Sequence, residues 1–244
     1  MQENKKFTKL RKNVFGGTGC LEDAAVLCFI MDGAEIQGTD SPVIAKSFIG
    51  ECLKIDTCAV QNALERLFTG GWFRSIEDIK FEKLDGKKVP STRFNLSGKA
   101  IGMGCGLQRN HTKHLKYTKL RKEILEETGD LTEASVMSFI IDGAQMKRSG
   151  KPVISLSYMQ RRLNVERDEF NRAIRCLQEC GWFSIGGSHI MDSPQPENDY
   201  VQFILSEKAL EDVSFPEEAK HDENAVCEEA SKKKSWWKRL FSRR

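Results

Sequence analysis

The segment from Val43 to Phe73, VIAKSFIGECLKIDTCAVQNALERLFTGGWF, decides the fold. It reads as a short helix, a tight turn, a longer helix and the start of a strand. The same spacing returns without a gap 110 residues later, in Val153 to Phe183, VISLSYMQRRLNVERDEFNRAIRCLQECGWF. We therefore expect the chain to act through two copies of one unit.

The longer helix of each copy carries apolar residues at helical spacing, which predicts one buried face. Asp56 precedes this run in the first copy, where its carboxylate can accept from the free N–H groups of the first turn, and Gly70-Gly71 ends the run. In the second copy Glu166 takes the place of Asp56 and is a weaker cap. The buried faces are predicted at Val60, Ala63, Leu64 and Leu67, and at Phe170, Ala173, Ile174 and Leu177.

A shorter helix is predicted ahead of each longer one, from Ile44 to Leu53 and from Ile154 to Leu163, with Pro42 and Pro152 at the helix starts. Two short helices joined in this way, with the second amphipathic, form the helix-turn-helix pattern. Upstream, the related phrases VLCFIMDGA and VMSFIIDGA predict an apolar helix that ends at Gly33 or Gly143.

A β-hairpin is predicted after each helix-turn-helix. In the first copy Asp85-Gly86 separates two alternating runs, which is a strong hairpin signal, and the hairpin of the second copy is longer and less regular. Helix, helix-turn-helix and hairpin follow one another in the order of a winged-helix domain.

From Phe7 to Leu210 the sequence resembles the tandem winged-helix proteins. The resemblance implies an α+β, mostly helical fold of two winged-helix domains that arose by internal duplication. The opening phrase FTKLRKNVF, followed by an apolar helix, looks like the start of initiator winged-helix domains. The nearest functional likenesses are therefore plasmid or phage replication initiators and transcription regulators of bacteria, which bind double-stranded DNA.

The 244 residues are 39% hydrophobic and 30% charged, an ordinary composition for two soluble domains. No apolar run approaches the roughly 18 residues that cross a bilayer, and the N-terminus lacks the apolar core of a secretory signal, so we expect a cytoplasmic protein. The predicted segments are winged-helix domain 1 at 1–101, a basic flexible linker at 102–116, winged-helix domain 2 at 117–210, an acidic disordered spacer at 211–230 and a basic aromatic tail at 231–244.

The outward face of each longer helix is the first candidate for DNA contact, because this element enters the major groove in a helix-turn-helix. Amides can pair with adenine, and arginine with guanine or phosphate. The predicted base-reading residues are Gln61, Asn62 and Arg66 in one groove and Asn171, Arg172 and Arg175 in a second. Any solvated helix face carries similar side chains, and Glu65 and Asp168 would repel phosphates.

Phosphate contacts are predicted at the hairpin tip of the first copy, by Lys83, Lys87 and Lys88, and in the linker, by Lys113 and Lys116. Lysines at such a tip also protect an exposed sheet edge, which would give the same pattern. The hairpin of the second copy is acidic, with Asp192, Glu197 and Asp199. This difference favours a protein partner for the second copy, instead of DNA or in addition to it.

The C-terminal tail combines basic and aromatic residues, which suit an anionic membrane surface, a nucleic acid or an acidic partner. Its candidate contact residues are Lys234, Trp236, Trp237, Lys238, Arg239 and Phe241. A non-enzymatic protein-interaction scaffold, tethered to a membrane by this tail, is therefore the alternative to DNA binding.

Catalytic and metal-binding signals are weak throughout the sequence. None of the four cysteines of the first copy recurs at its partner position in the second, so reduced thiols are expected. Cys105, His111 and His114 fall short of the four ligands of a closed zinc site. No phosphate-binding loop, nucleophile elbow or HExxH motif occurs, so we expect no enzyme activity, cofactor or metal.

Overall fold

The structure, a computed structural model, describes residues 7–82, 88–103, 117–186 and 199–211, without the side chains of residues 7, 81, 82, 88 and 89. The fold is α+β, with helices packed on small antiparallel sheets. Every described residue belongs to one compact unit, Met1–Val213, while a second unit, Ser214–Arg244, lies outside the described residues.

The first half of the compact unit contains, in chain order, β1 (Phe7–Arg11), α1 (Lys12–Phe15), α2 (Leu21–Gln37), β2 (Val43–Ile44), α3 (Lys46–Leu53), α4 (Thr57–Thr69), β3 (Phe73–Glu82), β4 (Lys88–Leu96) and α5 (Gly98–Gly102). The second half contains β5 (Tyr117–Arg121), α6 (Lys122–Thr128), α7 (Leu131–Lys147), β6 (Val153–Ser155), α8 (Leu156–Leu163), α9 (Arg167–Glu179), β7 (Phe183–Gly186), β8 (Tyr200–Leu205) and α10 (Glu207–Glu211). Helices and strands follow one another in the same order in both halves.

Each half has a three-stranded antiparallel sheet, ordered β2-β4-β3 in the first half and β6-β8-β7 in the second. The pairing of β3 with β4 confirms the predicted hairpin as far as the pair Glu82 and Lys88. Its tip, Asp85-Gly86, lies outside the described residues, as do residues 187–198 of the second hairpin.

The amphipathic faces of α4 and α9 lie as predicted. Val60, Ala63, Leu64 and Leu67 are buried in α4, and Phe170, Ala173, Ile174 and Leu177 are buried in α9. The Asp56 carboxylate accepts from the backbone N–H of Ala59 at 2.7 Å, whereas the Glu166 side chain makes no capping hydrogen bond. The difference in cap strength expected between the two copies is therefore confirmed.

The predicted starts of the shorter helices were wrong by about two residues. Val43 and Ile44 pair with β4, so α3 begins at Lys46, and Ile154 likewise belongs to β6. Pro42 therefore precedes a strand, and its carbonyl accepts from the backbone N–H of Phe94 at 3.0 Å. A proline without an N–H fits the edge of a sheet as well as a helix start, which is why the sequence pattern misled.

The prediction that the apolar helix ends at Gly33 or Gly143 was also wrong, because α2 continues to Gln37 and α7 to Lys147. These glycines allow a close approach by the following strand. A Cβ atom on Gly33 would lie 2.6 Å from Ile44 Cδ1, and one on Gly143 would lie 2.9 Å from Ile154 Cδ1. Helix α2 is instead capped at its C-terminus by Gly38, which has a φ of 64° in the left-handed region.

The buried apolar residues of the two halves form one continuous cluster. At the end of each helix-turn-helix segment a tryptophan is buried, Trp72 in the first half and Trp182 in the second. Lys99 Nζ lies 4.0 Å from the centre of the Trp72 ring, and Lys208 Nζ lies 4.0 Å from that of Trp182. The same contact between a lysine and a buried tryptophan thus occurs in both halves.

Strands β1 and β5 pair with each other and join the two halves, which the sequence did not predict. Each strand is fixed to the long helix of its own half by a buried arginine. Arg11 donates to Asp32 Oδ1 at 2.7 Å and to Glu35 Oε1 at 2.6 Å, and Arg121 donates to Asp142 Oδ1 at 2.8 Å. Burial acts to lower the pKa of Arg11, but the neighbouring acids outweigh it and raise that pKa above the ordinary arginine value.

Ser135, inside α7, allows the cost of a buried polar group in the core to be tested. Its hydroxyl is fully buried and has no hydrogen-bond partner among the described residues, whereas the equivalent position of α2 holds Ala25. We expect Ser135→Ala to raise the free energy of unfolding by about 1 kcal/mol, because a buried unpaired hydroxyl costs about 1–3 kcal/mol. Urea unfolding with an unchanged m-value measures this, and Ala25→Ser, the matched control, should lower stability by a similar amount.

Candidate nucleic-acid interface

The connection between the two helices of each helix-turn-helix segment is a tight turn with the same backbone conformation in both halves. Lys54 and Asn164 end α3 and α8 in the left-handed region, with φ angles of 55° and 51°. Among residues other than glycine, asparagine adopts this region most readily, so the turn of the first half is the more strained. The turn sets the direction in which α4 or α9 leaves the preceding helix.

The exposed face of α4 is mostly polar and uncharged, and it also carries Phe68, which is about half exposed. Gln61 and Asn62, both predicted to read bases, lie on this face and are exposed. The Gln61 amide donates to Glu65 Oε1 at 3.0 Å, and Asn62 Nδ2 lies 3.7 Å from the Cys58 sulfur. Two adjacent amides with exposed donors and acceptors can form paired hydrogen bonds with a base edge.

Arg66, the third predicted base-reading residue of α4, is held by Asp23 at the start of α2. Its Nε lies 3.1 Å from both carboxylate oxygens of Asp23, and one terminal nitrogen lies 2.7 Å from Oδ1. The hydrogen bond to Asp23 raises the pKa of Arg66 above its usual range, although half of the side chain is exposed. The pair fixes α4 on α2 and holds the Arg66 guanidinium group in one orientation.

The exposed face of α9 is more basic at the equivalent positions. Asn171, Arg172 and Arg175 are all exposed, and they take the places of Gln61, Asn62 and Glu65. Arg172 makes a long contact of 3.4 Å with Asp130, and Arg175 donates through Nε to the backbone carbonyl of Asn171 at 3.4 Å. Both guanidinium groups are therefore held only weakly.

The ion pair of Asp23 with Arg66 has a different counterpart in the second half, where Glu133 and Cys176 take the two positions. Burial, and then the charge of Asp130, raise the pKa of Glu133. Position 23 was not singled out from the sequence. An acid at the same place in both copies, in the first turn of an apolar helix, was the signal that could have identified it.

The remaining predicted contact residues lie outside the part of the chain that the structure describes. Lys88 is the one exception in backbone terms, because it begins β4, but its side chain is not described. The others are Lys83, Lys87, Lys113, Lys116, Lys234, Trp236, Trp237, Lys238, Arg239 and Phe241. Cys105, His111 and His114 also lie outside it.

A cleft of about 530 Å³ lies between the two helix-turn-helix segments. Lys54 and Ile55 of the first turn and Asn164 and Val165 of the second turn line it together. Equivalent segments at the starts of α2 and α7, residues 19–22 and 129–132, also line it, as do Glu166, Glu169 and Arg172 at the start of α9. The two turns therefore lie beside the same cleft.

The described residues contain no group of three or more histidine, cysteine, aspartate or glutamate side chains placed to hold a metal ion. Within the same residues, every helix is too short or too polar to span a membrane.

Comparison of the sequence with protein-family models gives no match, and no curated protein matches it.

Asp199 sets the start of α8 and gives the helix-turn-helix a pH dependence. Its carboxylate accepts from the Ser155 hydroxyl at 2.7 Å and from the backbone N–H of Ser157. Burial acts to raise the pKa of Asp199, but these hydrogen bonds lower it below the ordinary value of 3.8. The folded state therefore favours the charged carboxylate, and the stabilisation is lost as the pH falls through the lowered pKa.

We expect Asp199→Ala to lower the free energy of unfolding by about 1–2 kcal/mol at pH 7, from the loss of two hydrogen bonds. Because the folded pKa lies below 3.8, the difference from wild type should persist down to about pH 4 and shrink below it. Denaturant unfolding from pH 7 to pH 3 measures the difference. A difference that grows in acid would contradict this role of the carboxylate.

Proposed function

We propose that this chain is a non-catalytic protein that binds double-stranded DNA through two tandem winged-helix domains, in replication initiation or in transcription regulation. The first domain comprises β2, α3, α4 and the β3–β4 hairpin on α2, and the second comprises the equivalent elements on α7. One chain would supply two DNA-reading helices without dimerising.

The observation that carries this proposal is the exposure of α4 and α9. Each is the second helix of a helix-turn-helix, buries one apolar stripe and leaves the opposite, mostly polar face uncovered by the described part of the chain. In DNA-binding proteins of this construction that face enters the major groove. The side chains at its centre, amides in α4 and amide plus arginines in α9, are the types that pair with base edges and phosphates.

The element order gives further support. In the first half β2, the short strand between α2 and α3, pairs with the hairpin strand β4, and in the second half β6 pairs with β8 in the same way. This pairing brings the hairpin beside the helix-turn-helix. A winged-helix domain has this arrangement, and its hairpin can lie along the DNA backbone next to the reading helix. The three-stranded sheets of both halves therefore fit the proposal equally well.

Removing the tail allows a direct test, because its seven basic residues would bind DNA whatever the fold does. We expect the chain without residues 214–244 to bind a random duplex, with an affinity that falls steeply as salt rises. Arg172→Glu with Arg175→Glu should weaken binding at least about tenfold and reduce the salt slope, because two cations facing the phosphates are lost. Fluorescence anisotropy over a salt series measures both effects.

The matched control is Lys151→Glu with Arg148→Glu, the same change of charge in the connection between α7 and β6. This control should change binding much less than the substitutions in α9. Absence of binding at low salt would refute the proposal, and equal effects of the two double variants would show that α9 does not face the duplex. A thermal melt of each variant checks that the fold is retained.

A protein-interaction scaffold is the second candidate, and exposed aromatic residues at equivalent positions favour it. Phe48 and Tyr158 are each about half exposed, and each stacks edge-on against a phenylalanine of the long helix, Phe29 or Phe139. A scaffold acting through this surface would lose its partner on Phe48→Ser with Tyr158→Ser. DNA binding through α4 and α9 would survive the same substitutions.

A further inference from the structure

The register of β1 and β5 relates the two halves by a local twofold axis. The strands are antiparallel, and Lys9 lies opposite Lys119, which is its equivalent in the second half. On either side of this pair, Leu10 pairs with Thr118 and Thr8 pairs with Leu120. Each of these pairs becomes the other when every residue is replaced by its equivalent in the other half. An antiparallel pair of equivalent strands in this register has a twofold axis through its central pair, as in a symmetric dimer.

The twofold relation extends from the strands to the long helices, because both strands are attached in the same way. The backbone N–H of Lys9 donates to Asp32 Oδ2 at 3.0 Å, and that of Lys119 donates to Asp142 Oδ2 at 3.0 Å. The other carboxylate oxygen accepts from Arg11 or Arg121 in each half. Helix α4 packs on α2 and α9 packs on α7, so the axis also relates the two exposed helices.

Both exposed helices begin on the same side of the molecule. The turn that precedes α4 and the turn that precedes α9 line one cleft, together with equivalent segments from the two halves. The axis therefore passes between two helix-turn-helix segments that are presented together. The two halves are therefore not related by a translation along one direction.

We infer that one chain recognises an imperfect inverted repeat in duplex DNA, with one half-site under α4 and the other under α9. This inference rests on the proposed function and adds the symmetry of the target. DNA has local twofold axes of its own, so a protein with twofold symmetry matches half-sites of opposite orientation. Two direct repeats would instead require halves related by translation.

The two half-sites differ because the exposed residues differ. The positions of Gln61, Asn62 and Glu65 in α4 are occupied by Asn171, Arg172 and Arg175 in α9. Paired amides favour adenine, whereas arginine favours guanine. The half-site under α4 should therefore contain adenine, and the half-site under α9 should contain guanine.

The test is selection of binding sites by the full-length chain from a pool of randomised duplexes, with excess competitor DNA to occupy the tail. We expect an adenine-containing and a guanine-containing element in inverted orientation, with centres about one helical turn or a small multiple apart. The triple variant Asn171→Gln, Arg172→Asn, Arg175→Glu gives α9 the residues of α4 at these three positions. It should select a palindrome in which the adenine-containing element occurs twice.

Arg161→Glu is the matched control, because it copies Glu51 of the first half but lies in α8, outside the reading helix. It should leave the selected motif unchanged. All four replacements are at exposed positions and copy residues of the first half, so the fold should be retained.

The outcomes separate the inference from the proposed function. A direct repeat, a single asymmetric element, retention of duplexes without any enriched sequence, or a motif unchanged in the triple variant would overturn the inference while DNA binding stands. Failure to retain any duplex would overturn both. An inverted pair in the wild type that becomes a palindrome in the triple variant would support the inference.

Discussion

The two buried arginines that hold β1 and β5 are the interactions on which the arrangement of the molecule depends. A two-stranded ribbon of five-residue strands has little stability of its own. Arg11 and Arg121 fix these strands to α2 and α7 through Asp32 and Asp142, inside the core where an unpaired charge would be very costly. Breaking either pair by removing one partner should cost about 3–5 kcal/mol and release the strand that joins the halves. Burial raises the pKa of Asp142 by more than the charge of Arg121 lowers it, so the net shift of that pKa is upward.

Local patterns were sufficient to predict the helix-turn-helix segments and the hairpin, and they failed where distant parts of the chain decide. The stripe from Val60 to Leu67 and the cap at Asp56 act within one helix, so the sequence carries the whole signal. Gly33 was misread as a helix end because its neighbour Ile44 is eleven residues away. The pairing of β1 with β5 joins residues about 110 apart, and the repeated phrase TKLRK gave no sign that its two copies meet.

The sequence predicted which positions of the candidate interface are exposed, but it did not predict which of their side chains are already held by other residues. Gln61, Asn62, Asn171, Arg172 and Arg175 are exposed as the helical pattern required. Arg66 lies on the same helix, yet its geometry is fixed by Asp23, an acid forty-three residues away that no local pattern connects with it. Arg66 therefore orients α4 on the long helix of its own half, whereas Arg172 and Arg175 of α9 are only weakly held. The two halves thus share one order of helices and strands, while the exposed residues of α4 and α9 differ.

Recognition of a two-part site by one chain requires both exposed helices to face one duplex at the same time. A photoreactive amino acid placed at position 61 or at the equivalent position 171, followed by irradiation of the full-length chain with a duplex labelled on one strand, tests it most directly. We expect both positions to crosslink to DNA in complexes of one chain per duplex, whereas position 146, an exposed site at the end of α7, should not. Crosslinking from neither helix, or from only one of them, would contradict it.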